Sequence, residues 1–187
     1  QKISDLQSKS TEHDWVDMTQ LCVELYQHQD KMKLTGGVGK PSGFRTLDIE
    51  NGGFYDGNLI VIASRPSVGK SALLSKIAIA MAKKDLTVGI ISLEMSSVEI
   101  TSRLVAYDTN TDFNVVYGGL YPDQEEAHRL YERIARSTST FPIYVSDKTK
   151  VSVPEIRAKA EKLKSLHGLD CLMIDYLQLI ESAEGYN

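Results

Sequence analysis

The sequence predicts an α/β fold with a mostly parallel sheet flanked by helices, and three observations carry that prediction. Short apolar runs alternate with helical segments along most of the chain. The runs are apolar throughout rather than at every second residue, as in strands buried on both faces. One run leads through a Gly-Lys-Ser turn into a long apolar helix.

That run is Leu59, Ile60, Val61, Ile62 and Ala63, read as a buried strand. The residues after it, Ser64, Arg65, Pro66, Ser67, Val68, Gly69, Lys70 and Ser71, read as a phosphate-binding loop. Triphosphate oxygens need several donors at close range, and a tight loop at a helix N-terminus supplies inward amides with a favourable dipole. On this reading Arg65 through Ser71 bind nucleotide. Gly69 lets the backbone approach, Lys70 reaches the β- and γ-phosphates, and the Ser71 hydroxyl holds Mg²⁺. Ser64 stands where the general pattern G-x-x-x-x-G-K-[ST] has its first glycine. A helix cap without a ligand is the alternative, and the strand–loop–helix context argues against it.

Further strands are expected at residues 87–93, 142–145 and 169–174, and helices at 71–84, 97–107, 123–137 and 153–167. Ser96 with Glu99 and Ser152 with Glu155 have capping-box spacing, Pro154 suits a first helical turn, and Gly168 stops the last helix. Near the N-terminus, Thr11 with Asp14 is expected to cap an amphipathic helix reaching about Met32, with Trp15, Met18, Cys22 and Leu25 on one face. That stripe packs either on the domain's own core or on a neighbouring chain. The stretch 34–43, with Gly36, Gly37, Gly39, Pro41 and Gly43, sustains neither period and reads as a flexible joint. Its Gly-Gly-Val-Gly-Lys string is no second phosphate loop, because no strand precedes it and Pro41 follows Lys40. The chain is therefore read as residues 1–42, a tail, linker helix and joint, followed by one α/β domain over residues 43–187.

The 187 residues suffice for one domain with a substantial core. With 21 Lys and Arg against 25 Asp and Glu, the net charge of -4 gives no global attraction to nucleic acid and leaves any DNA contact to local basic loops. No apolar run approaches the roughly 18 residues of a membrane span. Cys22 and Cys171 lie far apart and indicate neither disulfide nor metal site, so a reducing cytoplasm is expected. The start at Gln1, without Met or signal pattern, points to a trimmed chain or a piece of a larger protein.

Phosphoryl transfer to water needs a metal on the triphosphate and a group that takes the proton of the attacking water. Asp175 ends the apolar run Leu172, Met173, Ile174, where a carboxylate can face the Mg²⁺ at Ser71; capping the next turn is its alternative role. Glu94 ends the run Ile90, Ile91, Ser92, Leu93 in the same way and is assigned as general base, with a plain surface glutamate as the alternative.

Asp48 with Gly52, Gly53 and Phe54, the stretch from Leu59 to Ser71, Ser92-Leu93-Glu94-Met95-Ser96 with Arg103 and Leu104, and Asp175-Tyr176-Leu177-Gln178-Leu179 together closely resemble the ATPase domain of replicative DNA helicases of the DnaB type. The likeness runs from about Gly43 to Ile180, and that family often lacks the first glycine of the loop, as here at Ser64. It implies a RecA-like core using ATP and Mg²⁺, with Glu94 and Lys70 catalytic and Ser71 and Asp175 at the metal. It also implies a homo-hexameric ring on single-stranded DNA, primase and a helicase loader as further partners, and docking of the linker helix on the adjacent subunit. The family continues past the Asp175 motif with a sensor glutamine, basic DNA-contacting loops and an arginine offered to the neighbour's nucleotide. None of these maps before Asn187, Gln178 is not that sensor, and the ATPase domain is therefore read as incomplete at its C-terminal end. The competing readings are a RecA-like recombination or repair ATPase and a non-catalytic nucleotide-binding adaptor of assembly. The helicase-type strings argue against the recombination ATPase, and retention of Lys70, Ser71, Glu94 and Asp175 together argues against the adaptor, which could lose Glu94 without losing affinity.

Overall fold

The computed structural model describes residues 16–34, 39–65, 68–148 and 150–181. The chain forms two compact units divided after Gly39. In the first, α1 (Met18–Leu34) is capped by Asp17, whose carboxylate accepts from the amides of Thr19 at 2.7 Å and Gln20 at 3.0 Å. Leu21 N closes the first turn on Asp17 O at 3.1 Å. The described helix runs Met18–Leu34, two residues past the expected end at Met32, and Asp17 is the acid that meets the two free amides of its first turn. Thr11, Asp14 and Trp15 lie outside the described residues. Met18, Leu21, Cys22 and Leu25 are exposed.

The second unit comprises α2 (Arg45–Asn51), α3 (Lys70–Ala82), β1 (Val88–Ser92), α4 (Ser97–Thr109), α5 (Phe113–Gly118), α6 (Gln124–Arg136), β2 (Ile143–Ser146), β3 (Val151–Ser152), α7 (Val153–His167), β4 (Cys171–Asp175) and β5 (Ile180–Glu181). Short 3₁₀ turns, Thr138–Thr140 and Leu177–Leu179, precede β2 and β5. β2, β1 and β4 form a three-stranded parallel sheet in that order, with Val88 opposite both Ile143 and Cys171. β1 is the central strand and is buried along its whole length.

Its side chains alternate between two cores, and this alternation covers the sheet on both faces. Val88, Ile90 and Met173 pack with Ile77, Ala78 and Met81 of α3 and with Ile100 and Leu104 of α4. On the other face Ile91 packs with Leu172, Ile174, Val151 and Ile156 of α7. At Gly89 that helix comes so close that an added Cβ meets the Leu163 side chain at 2.9 Å. The Ser96 hydroxyl accepts from Glu99 N at 3.2 Å, and Ser152 and Glu155 form a full capping box.

The apolar run 59–63 is not a strand. Leu59 is 91% and Val61 65% exposed, while Ile62 alone of the run packs against the α3 side of the core. Strand-forming side chains make a strand only where a neighbouring edge receives the backbone hydrogen bonds. Among the described residues the sheet ends at β2 and β4, and no strand pairs with residues 59–63. α2 and α5 are additions to the sequence expectation, too short for a periodicity to declare them. Asp112 caps α5 by accepting from Asn114 N at 2.7 Å, and Asp48 of α2 accepts from Ser42 N at 2.8 Å. Among the described residues no helix is long and apolar enough to cross a membrane.

Asp108 ties α4 to the end of α3 and to the turn before β2. Its buried carboxylate receives Lys83 Nζ at 2.8 Å, Ser137 Oγ at 2.7 Å and Thr138 Oγ1 at 2.8 Å. Burial pushes the carboxyl up, but the hydrogen bonds from Lys83, Ser137 and Thr138 and the Lys83 charge outweigh it and hold its pKa below the ordinary aspartate value. A depressed folded-state pKa contributes stability above the unfolded value, about 3.9, and loses it as pH falls through the folded value. Asp108→Asn is expected to cost about 2 kcal/mol at pH 7, the scale of a hydrogen bond to a charged group. Urea melts of parent and variant should differ at pH 7, and the difference should shrink as pH falls below the ordinary aspartate range. A pH-independent difference places the contribution in packing alone.

Candidate functional site

α3 opens on Gly69, whose φ of 103° lies in the left-handed region. No side chain caps this end. The first helical bond runs from Leu73 N to Gly69 O at 3.0 Å, so the amides of Lys70, Ser71 and Ala72 have no acceptor within the helix. Around Gly69 the space is open, with nothing within 4 Å of an added Cβ. Free amides, an open face and the positive end of the helix dipole make an anion site. Arg65 and Val68 are exposed in the loop before it, and Pro66 and Ser67 lie outside the described residues.

The next two side chains turn to the sheet. Ser71 Oγ donates to Asp175 Oδ2 at 3.0 Å, and Lys70 Nζ stands 3.2 Å from Asp175 Oδ1 and 4.4 Å from the centre of the Tyr176 ring. Asp175 is buried at the end of β4, its side chain 3% exposed. Glu94 is exposed at the same end of the sheet, beyond Ser92, which is in register with Asp175. Leu93 N donates to Asp175 O at 2.8 Å and locks the two strand ends together. The structure thus brings Lys70, Ser71 and Asp175 into contact and sets Glu94 at the same end without joining it to them.

Two contributors escape a reading of the sequence by site residue. Ser92 closes the turn that carries Glu94: its hydroxyl accepts from Met95 N at 3.0 Å and donates to Met95 O at 2.7 Å. Arg103 of α4 lines the same cavity as Ser71 and Asp175. Both stand in the strings that carry the family resemblance, which gave neither a role: Ser92 shows only the spacing of a side-chain turn, and the crossing of α4 over the sheet places Arg103 at the cavity.

The donor set fits a magnesium nucleotide. Mg²⁺ keeps most of its waters and takes one or two protein oxygens along with phosphate oxygens. Ser71 Oγ and the Asp175 carboxylate are such a pair. Asp175 Oδ1 is buried and has no aligned hydrogen bond from the protein even though Lys70 is near, so it retains accepting capacity. Among the described residues no three His, Cys, Asp or Glu side chains converge into a metal cage.

An anion-binding helix start beside a buried strand-end acid, on a parallel sheet covered by helices, defines a nucleotide-binding class of α/β domain. Residues 39–187 match the DnaB-like helicase C terminal domain, and the chain belongs to that family. It is 34% identical over 186 residues to the replicative DNA helicase DnaB of Geobacillus stearothermophilus, covering 97% of this chain and 40% of that protein. Among solved structures, one described as an ATPase domain superposes with a TM-score of 0.78 at 30% identity, over 93% of this chain and 62% of that one. A DnaB-like replicative helicase, described with its interactions with primase, superposes with a TM-score of 0.75 at 29% identity, over all of this chain and 45% of that one. The core is accordingly RecA-like, and the chain spans about 40% of the length of the Geobacillus relative.

Proposed function

We propose that this chain is the motor part of an ATP-dependent replicative DNA helicase, and the observation that carries the reading is the meeting of Lys70, Ser71 and Asp175 at the start of α3. Bound Mg²⁺·ATP supplies the γ-phosphoryl group that water attacks. The free amides at the start of α3 hold phosphate oxygens, with Arg65 through Ser71 forming the loop around them. Lys70 leaves Asp175 for the β- and γ-phosphates, where its charge offsets that developing on the transferred group. Ser71 Oγ and the Asp175 carboxylate are the groups that would hold Mg²⁺, Ser71 directly and Asp175 mainly through a water, and the cation would supply charge neutralisation on the triphosphate. Glu94 accepts the proton of the attacking water.

The same reading takes residues 1–42 as tail, linker helix and joint, and 43–187 as the ATPase domain, within a cytoplasmic protein. It takes single-stranded DNA as the track, a ring of six copies as the assembly, and primase and a loader as further partners. The exposed Met18, Leu21 and Leu25 of α1 are apolar surface of the kind that a neighbouring subunit covers. The test is ATP turnover by the full-length protein with and without single-stranded DNA, combined with strand separation on a forked duplex. Turnover stimulated by DNA together with unwinding is the expected result. Stimulated turnover with strand exchange instead of unwinding assigns a recombination ATPase, and nucleotide binding without turnover assigns an assembly adaptor.

A further inference from the structure

We infer that Arg103 is a positioning residue for the metal-side carboxylate, acting through one buried water held between Arg103 Nε–H and Asp175 Oδ1. The inference rests on the reading of Asp175 as the acid beside Mg²⁺. Among the described residues, Arg103 Nε and Asp175 Oδ1 are the two buried side-chain polar atoms without a hydrogen-bond partner. One is a donor and the other an acceptor, and both residues line a single cavity of about 10 Å³, with Ser71, Ser75, Leu74 and Ile90 in its wall. That volume matches one water molecule, which needs two to four polar partners in such a place. Arg103 Nε–H donates to it, and it donates to Asp175 Oδ1. Its second hydrogen goes to Ser75 Oγ, whose own proton is already given to Ser71 O at 2.9 Å. A cation is a poor occupant beside the guanidinium, so Mg²⁺ belongs on the Ser71 side of the carboxylate.

The rest of Arg103 is held independently of the cavity. Its Nη2 donates to Glu99 Oε1 at 3.1 Å, and its guanidinium carbon lies 4.6 Å from the centre of the Phe113 ring. The side chain is therefore fixed before the water is bound. Its function becomes visible once Lys70 moves to the phosphates, since Oδ1 then keeps a fixed partner. The carboxylate cannot rotate, and Oδ2 stays turned toward Ser71 and the cation. Partners in this outer position set metal affinity more than nucleotide affinity.

The experiment uses the full-length chain and two variants. Arg103→Met removes charge and donors. Arg103→Lys keeps the charge and the packed stem but has no Nε–H at that position. Both are expected to raise the Mg²⁺ concentration for half-maximal ATP turnover by roughly tenfold while leaving the affinity for a fluorescent ATP analogue in EDTA unchanged. Neither should add to the shift that Asp175→Asn produces by itself. An unchanged Mg²⁺ requirement in both variants, or a parent-like value in Arg103→Lys alone, overturns the inference while Asp175→Asn still marks the acid. If Asp175→Asn leaves the requirement unchanged, the metal reading of Asp175 fails and the inference falls with it. A high-resolution crystal structure supplies a check free of activity: a water within hydrogen-bond distance of both atoms supports the bridge, and direct contact of Nε with Oδ1 removes it.

Discussion

Glu94→Gln is expected to bind ATP like the parent and to turn it over about two or more orders of magnitude more slowly. The amide keeps the volume and the reach of the side chain but cannot take a proton, so it separates binding from chemistry. Glu94 stands within a turn held by the Ser92 hydroxyl on the backbone N–H and C=O of Met95, next to a strand end locked to Asp175 by the Leu93 amide. A base placed on so constrained a turn loses its function when its proton acceptor is lost. The exposure of Glu94 is no objection, since catalytic hydrogen bonds commonly tighten only in the substrate complex. Calorimetric titration with ATP and single-turnover hydrolysis on the full-length protein measure the two halves of the claim. Near-normal turnover removes Glu94 from the chemistry, and lost binding makes it a ligand of the nucleotide instead.

What the sequence discloses here follows the range over which each signal acts. The capping pairs at Ser96 and Ser152 and the stop at Gly168 are local, and they set α4 and α7 where expected. The runs behind β1, β2 and β4 are apolar because both faces of the sheet are covered, so their composition already contains the answer. Residues 59–63 have the same composition and make no strand, because pairing depends on an edge elsewhere in the chain. In α1 the acid that caps is Asp17, and several polar residues upstream carry an equal local signal. The site divides in the same way. Ser71 and Asp175 lie 104 positions apart, yet their meeting is legible in the sequence, since each sits at the end of its own element and sheet topology brings those ends together. Arg103 lies within a helix, and its approach to the site depends on how α4 crosses the sheet, which no local pattern encodes.

Lys70→Ala is expected to abolish hydrolysis and to weaken ATP binding together, and also to destabilise the nucleotide-free protein. The first effect follows from the charge that the triphosphate loses: removing one preorganised cationic donor at the transferred group costs roughly a hundredfold to a thousandfold in rate. The second follows from where Lys70 rests. Its Nζ lies 3.2 Å from Oδ1 of Asp175, whose side chain is 3% exposed, so deletion leaves a buried carboxylate whose remaining direct side-chain contact of opposite polarity is the Ser71 hydroxyl. Breaking a fully buried pair costs about 3–5 kcal/mol; with Lys70 29% exposed, a loss of about 2 kcal/mol is expected. Asp175→Asn in the same background removes the stranded charge and should recover most of that stability without recovering turnover. Denaturant melts of the single and double variants read the stability difference, and calorimetric titration with ATP reads the affinity. Unchanged affinity in Lys70→Ala places the triphosphate elsewhere in the molecule. Equal stability of parent and variant shows that the contact between Lys70 and Asp175 contributes nothing to the resting state, leaving Lys70 free for the phosphates from the outset.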